Sequence, residues 1–138
     1  MGETMYWLRP VGWVESPLTE PRQAPRQADE GAPAAWLVLD PAVRDSMRGL
    51  RPGSDVLLLT WLDRARRDVQ LVHPRDDESR PLEGVFNTRS QDRPNPIGLH
   101  AVHIVTIDGT RIEVRNLEAI DKTPILDIKP ILGPAEAR

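Results

Sequence analysis

The chain has 138 residues, 39% of them hydrophobic, enough for one modest core and one domain spanning 1–138 with its folded centre near 6–131. Cysteine is absent, which excludes a disulfide framework and thiolate metal sites. A net charge of −3, from 18 basic and 21 acidic residues, argues against a strongly basic nucleic-acid surface, and no apolar run approaches the ~20 residues of a membrane span.

The opening MGETMYWLRP lacks the basic and apolar regions of a signal peptide, so the expectation is a cytoplasmic protein with no membrane partner. Residues 6–14 are aromatic and β-branched and predict an edge strand. Residues 16–32 are rich in Pro, Gln, Glu and Gly and predict a long loop, a length that usually marks function or mobility. A strand at 36–39 leads into Asp40 and Pro41, an N-cap followed by a first-position proline. The helix they start runs through Val43 and Met47 and stops at Gly49. Residues 56–62, VLLLTWL, are the most apolar run and too short for anything but a buried strand.

A charged turn at 64–68, a strand at 69–72 and an acidic loop at 74–81 follow. Residues 99–107 predict a strand, and Asp108 and Gly109 form a favoured hairpin turn into a returning strand at 111–114. Short strands at 117–120 and 125–128 complete the pattern. Many short strands with one helix predict a mainly β protein, a small single-domain barrel or sandwich. Tyr6 and Phe86 are the only aromatics besides four tryptophans, so the tryptophans and aliphatics are expected to fill the core.

Two passages stand apart from this pattern. Residues 84–99 read GVFNTRSQDRPNPIGL, and 121–130 read DKTPILDIKP. Each proline fixes its own φ near −65° and removes a backbone donor. Each also drives the preceding residue, here Arg93, Asn95, Thr123 and Lys129, towards extended conformations. Stiff, donor-poor loops carrying charged side chains suit ligand binding, because little ordering entropy is lost on contact.

These passages resemble the TRSPxRPNPIG and DGTPVLDIKP signatures of the TrmO family, also called TsaA-like. VGWVESP at 11–17, followed by Pro25, Arg26 and Gln27, is similar to that family's N-terminal motif. Three motifs in the same order, spread over residues 8–131, are far more specific than a lone glycine pattern. The resemblance implies an S-adenosylmethionine-dependent methyltransferase on a small β-barrel, and a homodimer whose second chain helps wall the pocket. Better-known members methylate the exocyclic amine of threonylcarbamoyl-adenosine beside the tRNA anticodon. Carried over by position, the family's cofactor contacts fall on Pro25, Arg26, Gln27, Asp63, Arg64, Arg89, Leu99, Asp121, Lys122, Thr123 and Pro124. Arg93 and Asn95 become the substrate-binding candidates. Lys122 replaces a family glycine, a position that can require φ > 0, and Ser54-Asp55 replaces a Ser-His pair.

Methyl transfer asks the protein mainly for positioning and electrostatics. Arg89 or Arg26 suits the cofactor carboxylate, because guanidinium pairs with it bidentately. Backbone groups at 97–99 and 121–124 suit the adenine. Asp127 or Asp121 suits the proton leaving the acceptor, although Asp127 can equally pair with Lys129. The acceptor is tRNA by family, or a small metabolite by the acidic balance. A binding module without catalysis is the other class of reading. No Rossmann glycine pattern or P-loop is present. His100 and His103, three apart on a strand, point to opposite faces and cannot share a metal. His73 is either a base or a surface histidine.

Overall fold

The computed structural model describes residues 4–19 and 34–133. Among them eight strands form: β1 (Gly12–Glu15), β2 (Ala35–Leu39), β3 (Asp55–Trp61), β4 (Leu71–Val72), β5 (Glu83–Gly84), β6 (Ile97–Asp108), β7 (Arg111–Arg115) and β8 (Pro124–Pro130). In β1, β2, β3 and β7 every second side chain is buried, the period of a strand with one face on a core. Six strands close into a barrel in the order β1-β2-β7-β6-β3-β8, all neighbours antiparallel, with β8 returning to β1. β4 and β5 make a separate two-stranded ribbon. The protein is therefore mainly β, as expected.

The inward positions meet in an aliphatic core of Val14, Leu37, Leu58, Val102, Ile104, Ile112, Val114 and Ile125. The tryptophans do not fill it, contrary to the sequence expectation. Trp7 and Trp13 are exposed, and Trp36 and Trp61 stack under the guanidinium groups of Arg111 and Arg67 at 5.1 and 5.2 Å. Even eight strands enclose room only for side chains. Six enclose less, so branched aliphatics line the interior and the indoles lie outside, where cation–π contact is available.

Closure also corrects two strand expectations. The first strand is not an edge: β1 pairs with β2 on one side and β8 on the other, and it begins only at Gly12. Residues 117–120 form no strand, although Leu117 and Ala119 are buried in alternation. A closed barrel has no free edge for them to join, and Asn116 at φ +69° turns the chain away from β7. The strand expected at 69–72 shortens to Leu71–Val72.

The helix after β2 is a 3-10 helix (Pro41–Met47), broken at Val43. Asp40 caps it, its Oδ1 accepting from the Ala42 N–H at 3.0 Å, and Gly49 at φ +99° ends it. Single 3-10 turns also occur at Pro74–Asp76 and Val85–Asn87. Gly109, at φ +63°, makes the β6–β7 hairpin turn as read from the sequence.

Candidate functional site

The proline passage is held by arginines rather than by a ladder. Pro94 and Pro96 have no N–H to pair, so carbonyls here take side-chain donors. Arg67 donates from Nε to the Pro94 carbonyl and from Nη2 to Asn95 Oδ1, each at 2.8 Å. Arg93 donates to the carbonyls of Thr88 and Ser90 at 3.2 and 3.1 Å. Its own N–H reaches Arg66 O at 3.0 Å. Arg93 and Asn95 thus shape the ledge itself. In the adjoining turn Arg66 pairs with Asp68 at 3.0 Å, and that hydrogen bond holds the Asp68 carboxyl below its usual range. Arg89 is exposed and has no hydrogen-bond or ionic partner among the described residues.

The second passage is seated on β1. Val14 N–H donates to Thr123 O at 2.9 Å, and Lys122 N–H donates back to Val14 O at 2.6 Å. Asp121 N–H reaches Leu18 O at 2.6 Å, while Asp121 Oδ1 accepts from Ser16 N–H at 3.0 Å. Thr123 is buried, its hydroxyl donating to Ile120 O at 2.8 Å, and Pro124 opens β8 opposite Trp13.

Lys122 sits at φ +69°, the left-handed region suspected from its replacement of a glycine. Such a residue costs ~1–2 kcal/mol, partly cancelled by the chain entropy that glycine adds when unfolded. Lys122→Gly is therefore expected to raise stability by roughly 0.5–1 kcal/mol. Urea unfolding at unchanged slope reads it, and a drop in midpoint would count against strain at this turn.

Beside the start of the second passage lies a cleft of about 360 Å³, lined by Thr19, Asp63, Arg64, Ile120, Asp121 and Lys122. Arg64 spans to the Thr19 carbonyl through Nη1 at 3.0 Å. Two carboxylates, two cations and one apolar side chain thus share one concavity. That donor set suits a ligand carrying carboxylate, ammonium and hydroxyl groups together, and the volume is within the range of small-molecule sites.

Four of the expected contact residues, Asp63, Arg64, Asp121 and Lys122, meet in this cleft. Arg89, Leu99, Thr123, Pro124 and Asp127 are not among its lining residues. Leu99 and Asp127 lie in β6 and β8, on either side of Leu59. Asp127 pairs with Lys129 at 3.5 Å and accepts from Ile128 N–H at 2.9 Å. Pro25, Arg26 and Gln27 lie outside the described residues, as does most of the long loop.

His100 and His103 do point to opposite faces. His103 is outside, its Nδ1 2.9 Å from Asp55 Oδ1. His73 Nδ1 is engaged with the Arg80 carbonyl at 2.8 Å. His100 is inside, and its partners were not foreseen: Nε2 lies 2.7 Å from Thr60 Oγ1, and Nδ1 lies 2.5 Å from Glu118 Oε1. The available signal was parity, since His100 takes an inward position of β6 between Gly98 and Val102.

A family model described as tRNA-methyltransferase O N-terminal domain matches residues 13–136. A probable S-adenosyl-L-methionine-binding protein of Archaeoglobus fulgidus is 39% identical over 123 residues, covering 89% of this chain but 33% of that protein. An S-adenosyl-L-methionine-binding protein from the same organism is 37% identical, covering 88% of this chain and 86% of its own length. The crystal structure of TrmO from Pseudomonas aeruginosa superposes with a TM-score of 0.77 at 29% identity, covering 98% of this chain and 60% of that one. The chain thus spans a third of the first relative and about three-fifths of the solved TrmO chain.

Proposed function

The chain belongs to the tRNA-methyltransferase O N-terminal domain family, and we propose that it binds S-adenosylmethionine in the 360 Å³ cleft and transfers its methyl group. The observation that carries this reading is the convergence on one cleft of two adjacent pairs that are distant from each other in sequence, Asp63-Arg64 and Asp121-Lys122. The cofactor, when bound, supplies a methyl group already activated by its sulfonium.

The chain's own residues then have three tasks. Arg89, outside the lining of the cleft and without a partner among the described residues, is the guanidinium left to take the carboxylate, with Arg26 as the alternative. Asp63 and Lys122 set the charge around the ligand's polar groups. The N–H groups of Asp121, Lys122 and Thr123 are taken by Leu18, Val14 and Ile120, so this segment meets the adenine amine through carbonyls. Asp121 accepts the proton leaving the methyl acceptor. Its Oδ1 is fixed by Ser16 and it lines the cleft, whereas Asp127 is engaged with Lys129.

The acceptor we favour is the exocyclic amine of threonylcarbamoyl-adenosine beside the tRNA anticodon. Arg64, Arg66 and Arg67 from two chains of a homodimer would pool into one basic face, Arg22 lying outside the described residues. Support for a dimer comes from an apolar strip on the outer wall, where Leu59 pairs with Leu99 and Trp61 with Ile97, the two β6 residues each 43% exposed. A small metabolite is the second reading, favoured by the net charge of −3. The setting we assign is the cytoplasm.

Two measurements test this. Calorimetry with S-adenosylhomocysteine is expected to show binding, and none at millimolar ligand removes the cofactor. Methylation of bulk tRNA from a strain deleted for the gene, read by nucleoside mass spectrometry, is expected to yield one new methyl nucleoside. Binding without any transfer to that RNA moves the search to small acceptors, and binding without transfer to any acceptor leaves a cofactor-binding module.

A further inference from the structure

We propose that the chain Thr60–His100–Glu118 is a positioning device for the 120–122 segment that lines the cleft; this rests on the cofactor reading above. Thr60 from β3 and His100 from β6 face inward near the same barrel end. Thr60 is fully buried and His100 is 5% exposed, and neither lines the cleft. Glu118 arrives from the connection between β7 and β8, two residues before Ile120 and three before Asp121 in the cleft wall.

The chain has a built-in direction. An ionised carboxylate only accepts, so Nδ1–H of His100 donates to Glu118 Oε1. In the neutral ring Nε2 is then an acceptor, and the Thr60 hydroxyl donates to it. Both ring nitrogens are satisfied, and the barrel makes room for the arrangement. A Cβ on Gly98 would stand 2.3 Å from Thr60 Oγ1 and 2.7 Å from His100 Nε2. Gly98, the glycine that closes the proline passage, is therefore the space the Thr–His pair occupies.

Packing alone does not account for these residues. Glu118 Oε2 is buried with no donor among the described residues, a destabilising feature that a leucine would avoid. What the carboxylate adds is orientation. Leu117 and Ala119 sink into the core and fix the height of the segment. Asn116 at φ +69° turns the chain into it. The bond to His100 fixes its rotation, and hence where Ile120, Asp121 and Lys122 stand.

The test compares Glu118→Gln, which keeps an acceptor for Nδ1–H, with Glu118→Ala, which removes it. Two readouts are taken on the full chain well below its melting temperature. These are S-adenosylhomocysteine affinity by calorimetry and hydrogen exchange at the amides of Asp121 and Lys122. The alanine variant is expected to bind about tenfold more weakly and the glutamine variant within about threefold of wild type. Exchange at 121 and 122 should quicken in the alanine variant while β3 and β6 amides stay protected. Wild-type affinity in Glu118→Ala, or equal losses in both variants, overturns the positioning role. If wild type binds no S-adenosylhomocysteine, the cofactor reading fails by itself. The exchange data then decide this proposal, unchanged rates at 121 and 122 overturning it. Should Glu118→Ala not fold, Thr60→Val leaves Nε2 unpaired and is expected to give the same quickening, its absence again being decisive.

Discussion

Gly12→Ala is expected to destabilise the protein by more than about 3 kcal/mol, beyond the usual range for overpacking. An added Cβ would stand 2.3 Å from the Val38 carbonyl oxygen and 2.8 Å from Leu39 Cα. Both are backbone atoms of β2, so no side-chain rotation relieves the contact and the strands themselves must part. Gly12 pairs with Leu39 on one side and Ile125 on the other, so the displacement opens the barrel at its closing strand. The site should feel it as well. Two residues along β1, Val14 holds both Lys122 and Thr123 through its backbone. Urea unfolding measures the effect as a midpoint shift at unchanged slope. A loss below about 1 kcal/mol would mean that β1 and β2 separate at little cost, contrary to the close-packed pairing described.

The parts of the fold that local chemistry decides were legible in the sequence. Alternation and length placed β2, β3 and β6, the Asp40 cap and Pro41 placed the helix start, and Asp108-Gly109 placed the hairpin. What closure decides was not legible. Residues 117–120 alternate like a strand yet have no edge to pair with, and β1 reads as an edge although it is paired on both sides. The same distinction applies to the site. Motif resemblance picked out Asp63, Arg64, Asp121 and Lys122, and the barrel brings them to one cleft. Thr60, His100 and Glu118 are separated by 40 and 18 positions, so no spacing rule connects them. Only the inward parity of His100 hinted at a buried polar partner.

Arg89→Ala is expected to weaken S-adenosylhomocysteine binding by about 1.5–3 kcal/mol, the worth of a hydrogen bond to a charged group. The choice of Arg89 follows from what the other arginines of these segments already do. Arg64 is committed to the Thr19 carbonyl, Arg66 to Asp68, Arg67 to Pro94, Asn95 and the Trp61 ring, and Arg93 to Thr88 and Ser90. A guanidinium in use as a scaffold must break existing bonds to take a ligand carboxylate. Among the described residues Arg89 breaks none, and its loss leaves no carbonyl there without a donor. The variant should therefore keep its melting temperature while its affinity falls, and Arg89→Lys should recover only part of the loss, because an ammonium cannot pair bidentately. Arg93→Ala should behave oppositely, lowering stability through the ledge first. An Arg89→Ala protein that binds S-adenosylhomocysteine as wild type does would move the carboxylate to Arg26 in the segment preceding β2, and Arg26→Ala would then show the deficit.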